Sequence, residues 1–327
     1  MKRRRFITLL GGAAVSWPLA VHAQFDGRVR RIGALIGGDE GDEEKRSFVG
    51  AFQQALQRLG WNEGRNLRID WRWAASDIGR AREYAAELVA LRPDVLFGDN
   101  TFVVTELRRA TRLLPIVFAA VTDPTGEGYV ANLARPDGNL TGFADRELST
   151  VGKLAEFMKE IAPQVTRVGI IANRIAPSGG PRTVEAAVSS LGLRSTILEV
   201  RDAREVEAAI VGFGQAPNGG LIIPSDPFTV INRKLIIMLA ERHRLPAVYG
   251  YRFYVADGGL LSYGVDKHDQ YRGAARYIDR VLKGAKPSEL PVQLPIKYEL
   301  AINAKTAKAL GLEVPLSILM RIDEVIE

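Results

Sequence analysis

The chain has 327 residues, 44 Lys and Arg against 38 Asp and Glu, a formal charge of +6 and no cysteine. The length is ample for two domains, and the missing thiols exclude disulfides, thiolate catalysis and cysteine-ligated zinc. Lys2, Arg3, Arg4 and Arg5 lie in the first 23 positions with no acid beside them, so the remainder carries only +2, too little concentrated charge for a nucleic-acid surface.

From the N-terminus, that basic cluster leads into an apolar run from Phe6 to about Leu19 and then to Val21-His22-Ala23. The order predicts an export signal cleaved after Ala23. The run is shorter than the roughly 20 residues of a membrane-spanning helix, and Gly11-Gly12 and Pro18 weaken it further. Arg3-Arg4-Arg5-Phe6-Ile7 fits the twin-arginine type of signal. Without a cysteine at the cleavage site no lipid anchor is expected, and no second long apolar segment follows.

Strand and helix signals then alternate. Arg31–Ile36 reads as a buried parallel strand ending in Gly37-Gly38. Phe48, Phe52, Ala55, Leu56 and Leu59 recur at helical spacing up to a cap at Gly60. Leu67, Ile69, Trp71 and Trp73 alternate as in a strand, and Tyr84, Ala85, Leu88 and Val89 restore the helical period. Asp94–Gly98 and Pro115–Ala120 read as strands around a crossover helix from Thr101 to Arg112. The pattern repeats with helix Leu154–Ile161, strand Arg167–Ala172, helix Arg182–Leu191, strand Ser195–Val200, helix Ala203–Phe213, strand Gly220–Ile223, helix Leu235–Arg242 and strand Ala247–Tyr249. Two such sets are too many for one doubly wound sheet, so two α/β lobes with parallel sheets are expected.

Gly60-Trp61-Asn62-Glu63-Gly64-Arg65-Asn66-Leu67, Asp70-Trp71-Arg72-Trp73-Ala74, Thr122-Asp123-Pro124, the stretches Leu133–Phe143 and Gly258–Gly264, and the run Asn303–Leu312 occur in an order that resembles the TrpX-like ABC transporter substrate-binding proteins. The resemblance covers essentially the whole chain. It implies a type I periplasmic-binding-protein fold, two Rossmann-like lobes joined by a three-crossover hinge, with ligand captured in the cleft. On that basis lobe one is expected to comprise residues 24–141 and 262–292, and lobe two residues 142–261 and 293–327. The crossovers are placed near Asn139–Phe143, near Gly259–Gly264, where strand Leu260–Tyr263 would return to lobe one, and near Pro287–Pro295.

Ligands of open parallel sheets sit beyond the carboxyl ends of the strands. That rule nominates Gly38 and Asp39, whose loop allows close backbone approach or simply turns into a capped helix. Asn100 and Thr101 open a helix whose amides suit a carboxylate, with N-capping the competing reading. Asp123 suits a ligand ammonium, against ordinary turn chemistry beside Pro124. In lobe two, Asn173 and the pair Ser225-Asp226 suit a small zwitterion, with capping again the alternative for the latter. Tyr249 and Tyr251 stack on a ligand or pack the hinge, and Phe143 walls the cleft or steadies the first crossover.

Catalysis is not expected: His243 and His268 show no metal-ligand spacing, and there is no Gly-x-Ser-x-Gly elbow, P-loop or dinucleotide fingerprint. No cofactor and no metal are expected. The resemblance, with no catalytic motif against it, implies a monomeric periplasmic solute-binding protein that takes a small molecule, an amino acid or related carboxylate, to an inner-membrane ABC permease. A receptor that presents ligand to a sensor kinase, or an exported enzyme on the same scaffold, are the alternatives. A repressor relative is disfavoured because a signal stands where DNA-binding helices belong.

Overall fold

Apolar runs that end in a glycine or a capping side chain form the strands of two sheets. The computed structural model describes residues 28–145, 150–173, 188–224 and 226–327. The expected export signal, most of the expected helix Arg182–Leu191 and Ser225 lie outside the described residues.

The first sheet holds β1 (Arg30–Ile36), β2 (Leu67–Trp73), β3 (Val95–Gly98), β4 (Ile116–Val121) and β5 (Leu140–Ala144), all parallel, in the order β2-β1-β3-β4-β5. The second holds β6 (Arg167–Asn173), β7 (Arg194–Val200), β8 (Gly219–Ile223), β9 (Ala247–Tyr249), β10 (Leu261–Val265), β11 (Tyr298–Asn303) and β12 (Glu324–Ile326), in the order β12-β11-β10-β9-β8-β6-β7. Among the described residues only the β10–β11 pairing of this sheet is antiparallel.

Helices cover both faces of each sheet, as buried parallel strands require. Helices Glu43–Arg58 and Lys267–Leu282 bury Phe48, Phe52, Leu56, Tyr271, Ile278 and Leu282 on one face of the first sheet. Helices Ile78–Ala90 and Thr101–Ala110 cover the other with Ala81, Leu88, Val104 and Leu107. Helix Glu43–Arg58 starts where the Asp42 carboxylate accepts the Glu44 and Lys45 amides. It stops at Gly60, whose φ of 92° turns the chain so that the Trp61 amide donates back to the Leu56 carbonyl. Trp61, 2% exposed, then donates to Asp279 Oδ1 at 2.8 Å, so this corner motif anchors a helix.

The crossovers differ from expectation in two places. Leu140–Ala144 is the fifth strand of the first sheet, and the chain leaves that sheet only after Ala144. Leu261–Val265 does not return to the first sheet: it pairs with β9 and β11 in the second, its side chains joining the core of Leu154, Ile222 and Val248. An apolar strand fits either sheet, and β9, immediately upstream, supplies the nearer edge. The return is made instead by the step from Val265 to helix Lys267–Leu282. On the third pass, the Gln293 amide donates to Gly142 O, and the Ala144 amide to Gln293 O. The Asp266 amide then bonds the Lys297 carbonyl, tying the second and third passes together.

Two glycines permit this crowding. A Cβ on Gly142 would lie 2.1 Å from Phe118 O, and one on Gly273 would lie 2.4 Å from the Phe143 ring.

Candidate functional site

Because each sheet is essentially parallel, the loops after β1, β2, β3 and β4 gather along one edge, and those after β6, β8 and β9 along one edge of the second sheet. Two contacts show that the edges face each other: Arg233 Nη2 lies 3.6 Å from Asp42 Oδ2, and Arg252 Nη1 lies 3.8 Å from Glu44 Oε2. Asp42 and Glu44 follow β1, whereas Arg233 and Arg252 follow β8 and β9. The space between these edges is the candidate cleft.

Asp99 organises the first wall. Its side chain is fully buried; Oδ1 accepts the Gly37 amide at 2.7 Å, and Oδ2 accepts Lys45 Nζ at 2.8 Å and the Tyr271 hydroxyl at 2.7 Å. Burial and the neighbouring carboxylate hold the Tyr271 phenol well above its ordinary pKa, so it remains a donor. The Gly37-Gly38 turn is further clasped by the Ser76 and Ala75 amides, which donate to the Gly37 and Gly38 carbonyls. A Cβ on Gly37 would lie 2.0 Å from Asn100 Nδ2, so the turn passes close to the next loop. Asn100 Oδ1 accepts the Val103 amide at 3.2 Å as a cap, and Thr101 Oγ1 accepts the Thr122 amide at 3.3 Å. Just before Thr122, Ala120 has a φ of 55° beside a register shift in β4, a backbone kink at the cleft edge.

Asp123 and Asp226, the carboxylates expected to face a ligand from opposite lobes, each give one oxygen to their own turn. Asp123 is exposed, and its Oδ1 accepts Thr125 Oγ1 at 2.8 Å and the Gly126 amide at 2.9 Å. Asp226 is 6% exposed and caps helix Pro227–Ile231 through the Phe228 amide at 2.8 Å. Asp39 is exposed and closes its own turn by accepting the Gly41 amide at 2.7 Å. Gly38 and Asn173 are half-buried at the ends of β1 and β6.

Two aromatic candidates are turned into packing instead. Val248 faces one side of the second sheet, so Ala247 and Tyr249 face the other, where Tyr249 stacks on Tyr254 at 4.8 Å. Phe143 packs on Tyr277 at 4.9 Å and fills the space Gly273 leaves. Tyr251 reaches the hinge: its hydroxyl donates to Asp145 Oδ2 at 2.9 Å, and Lys267, ion-paired with the same oxygen, lies 4.5 Å over its ring. Asp145 and Lys267 are 4% and 7% exposed, a buried pair at the root of the cleft.

Sequence reasoning missed Lys45, Tyr271, Asp145 and Lys267, and also the acids around Arg252. Arg252 Nη2 donates to Glu324 Oε1 at 2.6 Å and holds that carboxyl below the usual range. Burial first, and Asp266 next, push Glu299 up to about 7. Burial also raises Glu44, although Arg252 opposes the rise. Among the described residues no group of three or more His, Cys, Asp or Glu is arranged to hold a metal, and no helix is long and apolar enough to cross a membrane.

Comparison with known proteins agrees with this geometry. Residues 39–326 match the family described as ABC transporter substrate binding protein. A tyrosine-binding protein of Clostridioides difficile is 26% identical over 286 residues, 83% of this chain and 77% of the relative. The ABC domain of a Streptococcus pneumoniae protein, solved in complex with L-Trp, superposes with a TM-score of 0.82 at 25% identity, over 91% of this chain and 99% of that one. A conserved domain protein of Vibrio cholerae gives 0.81 at 26% identity, over 91% and 100%. The two-lobed α/β architecture is that of type I periplasmic binding proteins, and the family's members are solute-binding proteins, not enzymes. The chain belongs to the ABC transporter substrate-binding protein family.

Proposed function

We propose that the cleft captures an amino acid with an aromatic side chain and that the loaded protein delivers it to an inner-membrane ABC permease. The observation that carries this reading is the opposition of two strand-end loop sets, joined at the rim by Asp42–Arg233 and at the root by Tyr251–Asp145. Relatives that bind tyrosine and L-Trp support the ligand class. Ligand contacts made to both lobes favour the closed state, which is how binding would drive a hinge motion.

In this reading the first-turn amides at Thr101 receive the ligand carboxylate, since the opening turn of a helix has N–H groups without intrahelical acceptors. Asp123, fixed by its turn, takes the ammonium, and Gly38 admits the ligand close to the backbone. Asn173, Asp226 and Tyr251 supply the opposing contacts. The moving units are the two sheets with their helices, and the hinge is the three passes after Ala144, Val265 and Gln293. The protein works as an exported periplasmic monomer, its signal removed after Ala23.

A thermal-shift screen of residues 24–327 against amino acids, organic acids and sugars tests the reading. At 100 times its dissociation constant a ligand stabilises by about 2.7 kcal/mol, a visible rise in melting temperature. Rises with L-tryptophan or L-tyrosine are expected; a response to sugars alone would overturn the ligand class.

A further inference from the structure

The rim of the cleft carries two acid–arginine–acid bridges of the same design. Arg233 Nε donates to Asp257 Oδ2 at 2.7 Å within its own lobe, and its Nη2 meets Asp42 across the cleft at 3.6 Å. Arg252 is bound in its own lobe by Glu324, Nη2 to Oε1 at 2.6 Å, and its Nη1 meets Glu44 across the cleft at 3.8 Å. In both, the bond inside lobe two is short and the bond across the cleft is longer. Asp257 and Glu324 therefore hold the guanidinium forks in place before the lobes meet, so little side-chain freedom is lost on closure. On the other side, Asp42 is the N-cap of helix Glu43–Arg58 and Glu44 lies in its first turn, positions where the helix dipole favours negative charge.

We infer that Arg233 and Arg252 form an electrostatic latch that engages Asp42 and Glu44 on closure and sets how far the empty protein leans towards the closed state. Magnitude makes it a bias and not a lock. The four side chains across the cleft are 21–26% exposed, so water and salt screen them. Two such bridges change the closed-to-open ratio by about threefold to tenfold. That is far short of the factor of about 10⁴ needed to carry a population from 1:99 to 99:1. Ligand contacts therefore still decide closure, and the latch lowers what they must supply. The inference rests on the proposed lobe closure.

The test uses the cysteine-free chain, which accepts spin labels only where cysteines are introduced. Ile78 and Ile231, 59% and 62% exposed, follow β2 and β8 on the cleft side of their lobes. With Ile78→Cys and Ile231→Cys labelled, pulsed electron–electron distance measurements read the lobe separation without any ligand, at low salt and in 1 M NaCl. The variant Asp42→Asn/Glu44→Gln removes both cross-cleft charges, retains an N-cap-competent side chain and leaves the Arg233–Asp257 and Arg252–Glu324 pairs intact. The expected result is a threefold to tenfold loss of the short-distance population in this variant, with the same direction of change in the parent at 1 M NaCl. Arg233→Gln/Arg252→Gln, made as an independent check, should behave alike. Two populations that neither salt nor either variant alters would overturn the latch while leaving closure intact. A single distance in every condition, L-tryptophan included, would overturn the closure reading with it.

Discussion

Replacing Asp99 by alanine removes the acceptor on which the first wall of the cleft is built. Three donors lose their partner at once: the Gly37 amide, the Lys45 ammonium and the Tyr271 hydroxyl. Breaking a buried charged pair from one side costs about 3–5 kcal/mol. Lys45 is 23% exposed and rehydrates in part, which places Asp99→Ala near the lower end, about 3 kcal/mol. Tyr271→Phe deletes one hydrogen bond of the cluster and should cost about 1 kcal/mol. Asp99→Asn keeps an acceptor for Gly37 but turns an N–H group towards two donors, and should fall between them. Urea denaturation followed by tryptophan fluorescence is suited to this series. In residues 24–327 the tryptophans are Trp61, Trp71 and Trp73, all of them on or beside the first sheet, so the fluorescence reports that lobe. An Asp99→Ala protein within 1 kcal/mol of the parent, or no weaker than Tyr271→Phe, would refute the reasoning.

Other perturbations have equally definite signs. Glu299 is pushed up to about 7 in the folded protein from an ordinary 4.5, so the folded state holds its proton more tightly than the unfolded chain. Stability from this group is full below pH 4.5 and is lost as pH rises towards 7; Glu299→Gln should flatten that loss, gaining about 3 kcal/mol at pH 8 and next to nothing at pH 4.5 in thermal melts. Asp226→Asn retains the cap on Phe228 and should change stability little, whereas Asp226→Ala should cost about 1 kcal/mol in the same melts. Gly142→Ala must displace the Phe118 backbone, 2.1 Å from the new Cβ, and should lower the melting temperature more than any single cap removal.

Much of the fold was readable in the residues, for physical reasons that also explain the failures. Short apolar runs such as Val95–Gly98 and Leu221–Ile223 are strands because they are buried on both faces, and Gly60 ends its helix because it reaches positive φ. The same logic does not say which sheet an apolar strand joins, and so the strand expected at Leu260–Tyr263 to return to the first sheet lies in the second, as Leu261–Val265. At the site, loop positions were legible from the rule that parallel strands open towards one edge. Side-chain roles were less so, because a carboxylate that caps a helix and one that awaits an ammonium use the same residue, as at Asp226. The direction of Tyr249 follows from alternation with Val248 and was available in the sequence. The Asp99–Tyr271 bond was not: the two residues are 172 positions apart and meet only because helix Lys267–Leu282 returns to the first sheet. The cross-cleft pairs are hidden for the same reason.

The central claim is that a ligand is held from both lobes at once. Calorimetric titration of residues 24–327 with L-tryptophan and L-tyrosine, beside Asp123→Ala and Asp226→Asn, tests it most directly. The account predicts saturable one-to-one binding with a negative heat-capacity change, weakened more than tenfold by either substitution. Binding that neither substitution weakens, or no heat with any amino acid, would contradict it.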